Sequence, residues 1–104
     1  MHGFVHGSVL FALADTAFEV ACNSHGRVSV GLDVSVHYAA PVRPGETLVA
    51  DAVEETRSRR IGSYRVEVRG EDGLVRCTAL AVAFRTDRWH LGEDEWPPEW
   101  RNAH

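Results

Sequence analysis

The stretch HGFVHGSVLFALADTAFEVACNS, residues 2–24, decides how the rest of the chain is read. Between Val9 and Cys22 its only polar side chains are Asp15, Thr16 and Glu19. Leu10, Leu13, Ala14, Ala17 and Ala21 recur at helical spacing, and a second apolar row, Phe11, Phe18 and Cys22, has Asp15 set within it. The pattern predicts a long helix, capped by Ser8 and stopped at Gly26 after Asn23 and Ser24. A helix that is apolar on two rows is expected to be covered on more than one side. An ionised carboxylate in such surroundings is costly unless water or a partner reaches it. Two readings follow: Asp15 joins Thr16 and Glu19 in a solvated stripe, or it has chemical work.

After this helix the period changes to two. In VSVGLDVSVHY, residues 28–38, Val28, Val30, Leu32, Val34, Val36 and Tyr38 alternate with polar or small residues, as in a long half-buried strand. Pro44-Gly45 marks a turn, and TLVADAVEE reads as a second strand. The basic turn RSRRIG leads into a third strand, SYRVEVRG, and Glu71-Asp72-Gly73 reads as a hairpin. LVRCTALAVAF is apolar on both faces and is expected to be central. One long helix followed by four antiparallel strands is an α+β arrangement, with a curved antiparallel sheet wrapped about a central helix. Residues 1–86 form the expected domain, and residues 87–104, with three tryptophans and a cluster of acids, an acidic tail that orders where its tryptophans meet apolar surface.

Composition narrows the function. The chain has 104 residues, enough for one domain. A net charge of −4 argues against nucleic acid as a partner. No apolar run is long enough for a membrane span, because Asp15 interrupts the longest. The N-terminus lacks the basic start and cleavage site of a signal peptide, so a cytoplasmic location is expected. Cys22 and Cys77 have no paired spacing and read as buried free thiols. All eleven basic residues are arginine, which we read as compositional bias. His2 and His6 stand four apart, but Gly3 and Gly7 disfavour a helix there and no third ligand is evident, so no metal is expected.

The run HGSVLFALADTAFEVACNS resembles the HGG…LAD segment of hotdog-fold acyl-CoA thioesterases, most of all the phenylacetate-pathway (PaaI-type) group. The similarity continues through VSVGLDVSVHYAAPVRPGETL and covers roughly residues 2–86. The resemblance implies a hydrolase for the thioester of acyl-coenzyme A, without a cofactor, working as a homodimer or a dimer of dimers. It places the oxyanion-binding glycine on Gly7, the catalytic carboxylate on Asp15 and the motif histidine on His6. Simple chemistry supports these roles. Backbone N–H groups near a helix start lack internal partners and suit a developing oxyanion, and a carboxylate can attack a carbonyl or take a proton from water.

The sequence also departs from the family pattern. Ser8 replaces the usual second glycine, and the Asn or Gln expected six residues before the motif histidine would precede Met1. The chain therefore reads as shortened, without the family's first strands. Positions where relatives hold water with Ser or Thr fall on Gly31 and Glu19. Substrate contacts are expected from Ser8, Thr16, Glu19 and Gly31, and coenzyme phosphates are expected at Arg43 and at Arg59, Arg60 and Gly62 of the basic turn. An acyl-thioester hydratase or dehydratase using His6 or His37, and a non-catalytic acyl-CoA binding module, are the alternatives that the same fold allows.

Overall fold

A computed structural model of the chain describes residues 7–104. Helix α1 (Gly7–Asn23) is followed by strands β1 (Arg27–Tyr38), β2 (Val49–Arg57), β3 (Ile61–Arg69) and β4 (Val75–Trp89), a 3-10 turn at Glu93–Glu95 and a short helix α2 (Pro98–Ala103). The four strands form one antiparallel sheet in the order β1-β4-β3-β2. This is the α+β arrangement that the change of period predicts, and β4 is central as expected. β4 continues three residues past the boundary drawn at residue 86, carrying Trp89 into the sheet.

Leu10, Ala14, Phe18 and Cys22, one residue per turn, are the buried stripe of α1. They meet Tyr64, Val66 and Val68 of β3 and Cys77, Ala79, Ala81 and Ala83 of β4. Among the described residues of the single chain, the expected cover on several sides of α1 is not seen. The sheet lies on one face of α1, leaving Val9, Phe11 and Val20 exposed at 52%, 39% and 67%. Phe11 from the second apolar row therefore points away from the core. Ser8 also differs from expectation. The chain is already helical at Gly7, which places Ser8 inside the first turn and not at its cap.

The alternation in β1 predicts one apolar face, but a bulge divides it. Val30 pairs with Phe84 and Gly31 with Ala83, but the next partners are Asp33 with Val82 and Val34 with Ala81. Leu32 is the extra residue, so the inward set is Ser29 and Gly31 before it and Val34 and Val36 after it. Val30 and Leu32 accordingly lie on the outer face, 47% and 58% exposed. Helix α1 ends where Gly26 takes φ of +107°, a backbone conformation that a side chain disfavours. A Cβ there would also strike the rings of Trp89 and Trp96.

Arg76, 8% exposed, clamps the loop after β1 to the β3–β4 turn. One guanidinium nitrogen reaches Glu46 at 2.7 Å and Asp72 at 2.9 Å, while the Arg76 carbonyl accepts from the N–H groups of Ala39 and Ala40. The tail is folded onto the sheet. Trp100 donates its indole N–H to the carbonyl of His25 at 2.7 Å and stacks on His104 at 3.8 Å, and Trp96 lies between Trp100 and Trp89.

Two stability predictions follow from these contacts. Arg76 holds the carboxyls of Glu46 and Asp72 below their ordinary values of 4.5 and 3.8. A carboxyl depressed in the folded state contributes stability that is present above its unfolded pKa and lost as pH falls through the folded one. Arg76→Leu should therefore unfold at lower urea than the parent at about pH 7, and the gap should close towards about pH 3 as the carboxylates protonate. A gap that stays constant with pH would show that the clamp is not electrostatic. For the tail, Trp100→Ala removes a half-buried ring and an indole hydrogen bond, so it should lower the unfolding free energy by about 1 to 2 kcal/mol. Urea titration of the two proteins measures it, and equal midpoints would make the tail an appendage.

Candidate active site

Asp15 follows Ala14 of the buried stripe, and one residue of helix turns the next side chain to the flank of α1. It is half-buried there and makes no hydrogen bond with the described residues. Glu19 stands one turn further along the same flank. Burial, and then the nearby charge of Asp15, push the Glu19 carboxyl above its ordinary value. The β1 bulge turns Gly31 towards Glu19 and Phe18. A Cβ on Gly31 would lie 3.2 Å from Cε2 of Phe18 and 3.3 Å from Oε1 of Glu19, so glycine lets the strand close against the helix. Thr16 is exposed, and its hydroxyl donates back to the carbonyl of Ala12 at 2.8 Å. Glu19 is thus brought together with Gly31, and its charge is felt with that of Asp15 one turn earlier.

Gly7 lies at the other end of the helical segment. Two turns separate it from Asp15, about 12 Å at the usual rise per residue. The ring of Tyr38, at the end of β1, covers it: a Cβ on Gly7 would lie 3.3 Å from Cζ. Ser8 is exposed next to it. His6 and His2 lie outside the described residues. Arg43 is exposed in the loop after β1, where its N–H approaches Glu46 at 3.4 Å.

The basic turn occupies the opposite end of the sheet. The Arg59 carbonyl accepts from Nη1 of Arg27 at 3.0 Å. Arg60 is committed to a bidentate pair with Asp87, at 2.8 and 2.9 Å. Gly62 is buried, and a Cβ there would lie 3.2 Å from Cε1 of Tyr64. A polar cluster beneath this turn has no signature in the sequence. Glu54 accepts from the Tyr64 hydroxyl at 3.0 Å and pairs with Nε2 of His25 at the same distance. Burial, and next the Glu54 carboxylate, push the Tyr64 hydroxyl up. Cys22, pushed to about 11 mainly by burial, stays a thiol. Tyr38 beside Gly7 is the other residue that sequence reasoning missed, since it read only as the last apolar position of a strand. Among the described residues no three His, Cys, Asp or Glu side chains are grouped to hold a metal ion, and no helix is long and apolar enough to cross a membrane.

Comparison with known proteins gives the same direction. The sequence profile of the thioesterase superfamily matches residues 2–77. Acyl-coenzyme A thioesterase PaaI of Escherichia coli is 39% identical over 67 residues, covering 64% of this chain and 48% of that protein. The structure of a mutant of the phenylacetic acid degradation protein PaaI of Thermus thermophilus superposes with a TM-score of 0.78 at 41% identity, over 83% of this chain and 73% of that one. The smu.793 protein of Streptococcus mutans, solved with acetyl-CoA bound, superposes with a TM-score of 0.78 at 27% identity, over 82% and 68% of the two chains. The chain spans between 48% and 60% of the length of the curated relatives it matches. Fold, motif and profile agree: the chain belongs to the thioesterase superfamily, as a hotdog-fold relative of its PaaI-type members.

Proposed function

We propose that two copies of this chain together hydrolyse the thioester of an acyl-coenzyme A to the free acid and the coenzyme thiol. The observation that carries the reading is Asp15: a half-buried carboxylate without a hydrogen bond among the described residues, on the flank of a helix whose first described residue is a glycine. The N–H of Gly7 suits the oxygen of the thioester carbonyl, because negative charge gathers on that oxygen as the carbonyl carbon becomes tetrahedral. Asp15 then serves in one of two ways. As a general base it takes a proton from water, whose oxygen adds to the carbonyl carbon; the tetrahedral oxyanion collapses, the C–S bond breaks and the thiolate takes up a proton. As a nucleophile it adds to that carbon itself, expels the thiolate as a mixed anhydride forms, and is freed when water cleaves the anhydride. Among the arginines expected to meet coenzyme phosphates, Arg43 and Arg59 make no ion pair with described residues, whereas Arg60 is held by Asp87.

Two chains are needed for a geometric reason. One carbonyl must reach a donor with its oxygen and a carboxylate with its carbon, across a bond of about 1.2 Å, so groups about 12 Å apart along one helix cannot both serve it. A two-fold axis brings Gly7 of one copy to Asp15 of the other and makes two equivalent sites. Strand β1 has only β4 as a neighbour among the described residues, and its free edge is a ready seam for a second copy. The outer sheet face, with Val30, Leu32, Val53, Ile61, Leu80 and Phe84 all exposed, supports a further pairing of dimers.

Asp15→Asn should retain the fold and acyl-CoA binding while turnover falls about 100-fold or more, the usual scale for a lost general base or nucleophile. Release of free thiol from a panel of acyl-CoAs measures it, run beside enoyl-CoA hydration, and unchanged turnover would remove Asp15 from the chemistry. A single turnover in 18O-water tests the nucleophilic route: label entering the Asp15 carboxyl shows a mixed anhydride cleaved at the Asp15 carbonyl, whereas label only in the product acid fits either a general base or an anhydride cleaved at the substrate carbonyl.

The shared site is tested by mixing. Asp15→Asn and Gly7→Leu chains should each be inactive as homodimers, yet subunit exchange should restore activity, because a mixed dimer carries one intact site. A mixture that stays inactive after exchange is proved by mass spectrometry would place the whole site in one chain.

A further inference from the structure

Tyr38 ends β1 on the helix-facing side of the sheet. After the bulge, Val34 and Val36 face α1, and Tyr38 is the next residue of that set. The two valines pack against the core, but Tyr38 stands at 49% exposure beside the start of α1. The part of its ring that meets the helix is the hydroxyl end. A Cβ built on Gly7 would lie 3.3 Å from Cζ, 3.4 Å from Cε1 and 3.6 Å from Cε2. The ring atoms nearest Gly7 are therefore the carbon that bears the hydroxyl and its two neighbours.

The phenol oxygen is one bond beyond Cζ, and among the described residues it has no hydrogen-bond partner. Tyr64 makes the contrast: its ring is buried, and its hydroxyl is spent on Glu54 at 3.0 Å. Tyr38 keeps its donor unspent, beside the glycine whose N–H suits the thioester oxygen. Its backbone is also firmly held. Tyr38 pairs with Cys77 in the β1–β4 ladder. The next two N–H groups, of Ala39 and Ala40, both donate to the Arg76 carbonyl, at 2.8 and 3.1 Å. Arg76 is in turn clamped by Glu46 and Asp72. A donor fixed in advance stabilises developing charge well, because nothing has to reorganise as the reaction proceeds.

We infer that Tyr38 is a further catalytic residue: its O–H is a second oxyanion donor, acting with the N–H of Gly7 on the thioester carbonyl oxygen. This role rests on the hydrolysis proposed above and deepens it. As water or Asp15 adds to the carbonyl carbon, the C=O electron pair moves onto the oxygen. The Tyr38 O–H donates a hydrogen bond to that oxygen and retains its own proton throughout. The bond weakens again when C=O re-forms and the thiolate leaves. An oxyanion accepts more than one hydrogen bond, and the Gly7 N–H supplies only one. Gly7 and Tyr38 belong to the same copy, so one chain holds the carbonyl oxygen while Asp15 of the other approaches the carbon.

Tyr38→Phe removes the hydroxyl alone and keeps the ring against Gly7. Thiol release should show kcat lowered about 100-fold, the scale of one lost oxyanion donor, with KM within about two-fold of the parent. A tyrosine that only packs would lose nothing to phenylalanine, so an unchanged kcat overturns the role, as does a loss confined to KM. A readout that does not depend on turnover separates Tyr38 from the hydrolase reading. Acetyl-CoA labelled with 13C at the thioester carbon is bound to Asp15→Asn, and its carbonyl band is followed by infrared spectroscopy. Hydrogen bonds to the oxygen lower that frequency, so adding Tyr38→Phe should raise it. A raised band places the O–H on the carbonyl; if the parent then releases no thiol from any acyl-CoA, hydrolysis falls and the contact stands. An unmoved band, or no bound acetyl-CoA, overturns Tyr38, while thiol release by the parent would still uphold hydrolysis.

Discussion

Everything in this molecule depends on how closely α1 can approach the sheet. Gly31 of β1, Ala83 of β4 and Gly62 of β3 are direct cross-strand neighbours, and they form a row of minimal side chains on the helix-facing side. Phe18 lies against Gly31, and the Tyr64 ring lies over Gly62. The two rings meet edge to face at 5.6 Å. Full burial of one such aromatic side chain stabilises the fold by about 2 to 3 kcal/mol, but only if the strands beneath it carry no bulk. Ala79 and Ala81 extend the same low floor along β4. A larger residue anywhere in this row would lift α1 and open the core.

That close approach also sets the chemistry. Once Ala14 and Phe18 are fixed on the floor, helical geometry leaves Asp15 and Glu19 at the flank, where β1 passes. Both carboxylates sit where water still reaches but solvation is reduced, and Glu19 responds by holding its proton more tightly. The apolar surroundings that made Asp15 conspicuous in the sequence are therefore a product of the packing stripe beside it. An acid placed one position earlier would have been buried outright.

Charge is organised at the two ends of the sheet in contrasting ways. At the end near Tyr38, Arg76 is matched by Glu46 and Asp72, and the three groups close a loop onto a turn. At the end near Arg27, five arginines converge; among the described residues an Asp or Glu carboxylate reaches only Arg57 and Arg101, and Arg85 meets the main-chain oxygen of His104. The first arrangement pairs its one arginine with two carboxylates and serves the fold. The second ties the turn and the tail to the sheet through main-chain oxygens of Ser58, Arg59 and His104.

The sequence alone determined the helix, the strand count and the central place of β4, because each rests on local periodicity: 3.6 residues over α1 and two over the strands. It also singled out Asp15, since an isolated acid in an apolar helix stands out without any tertiary knowledge, while Gly7 came from the resemblance of its motif to the family's. Leu32 shows where such reading stops. Its alternation continues unbroken through VSVGLDVSVHY, yet a single bulge reverses the faces of β1, and this reversal brings Gly31 to Glu19. A bulge depends on how two strands register, which one strand's pattern does not contain. The cover of α1 was likewise not legible, because a pattern records which side chains are apolar and not which of them find a partner. His25, Glu54 and Tyr64, and the five converging arginines, come from segments far apart in the chain, and only the closing of the sheet end and the folding back of the tail made them neighbours.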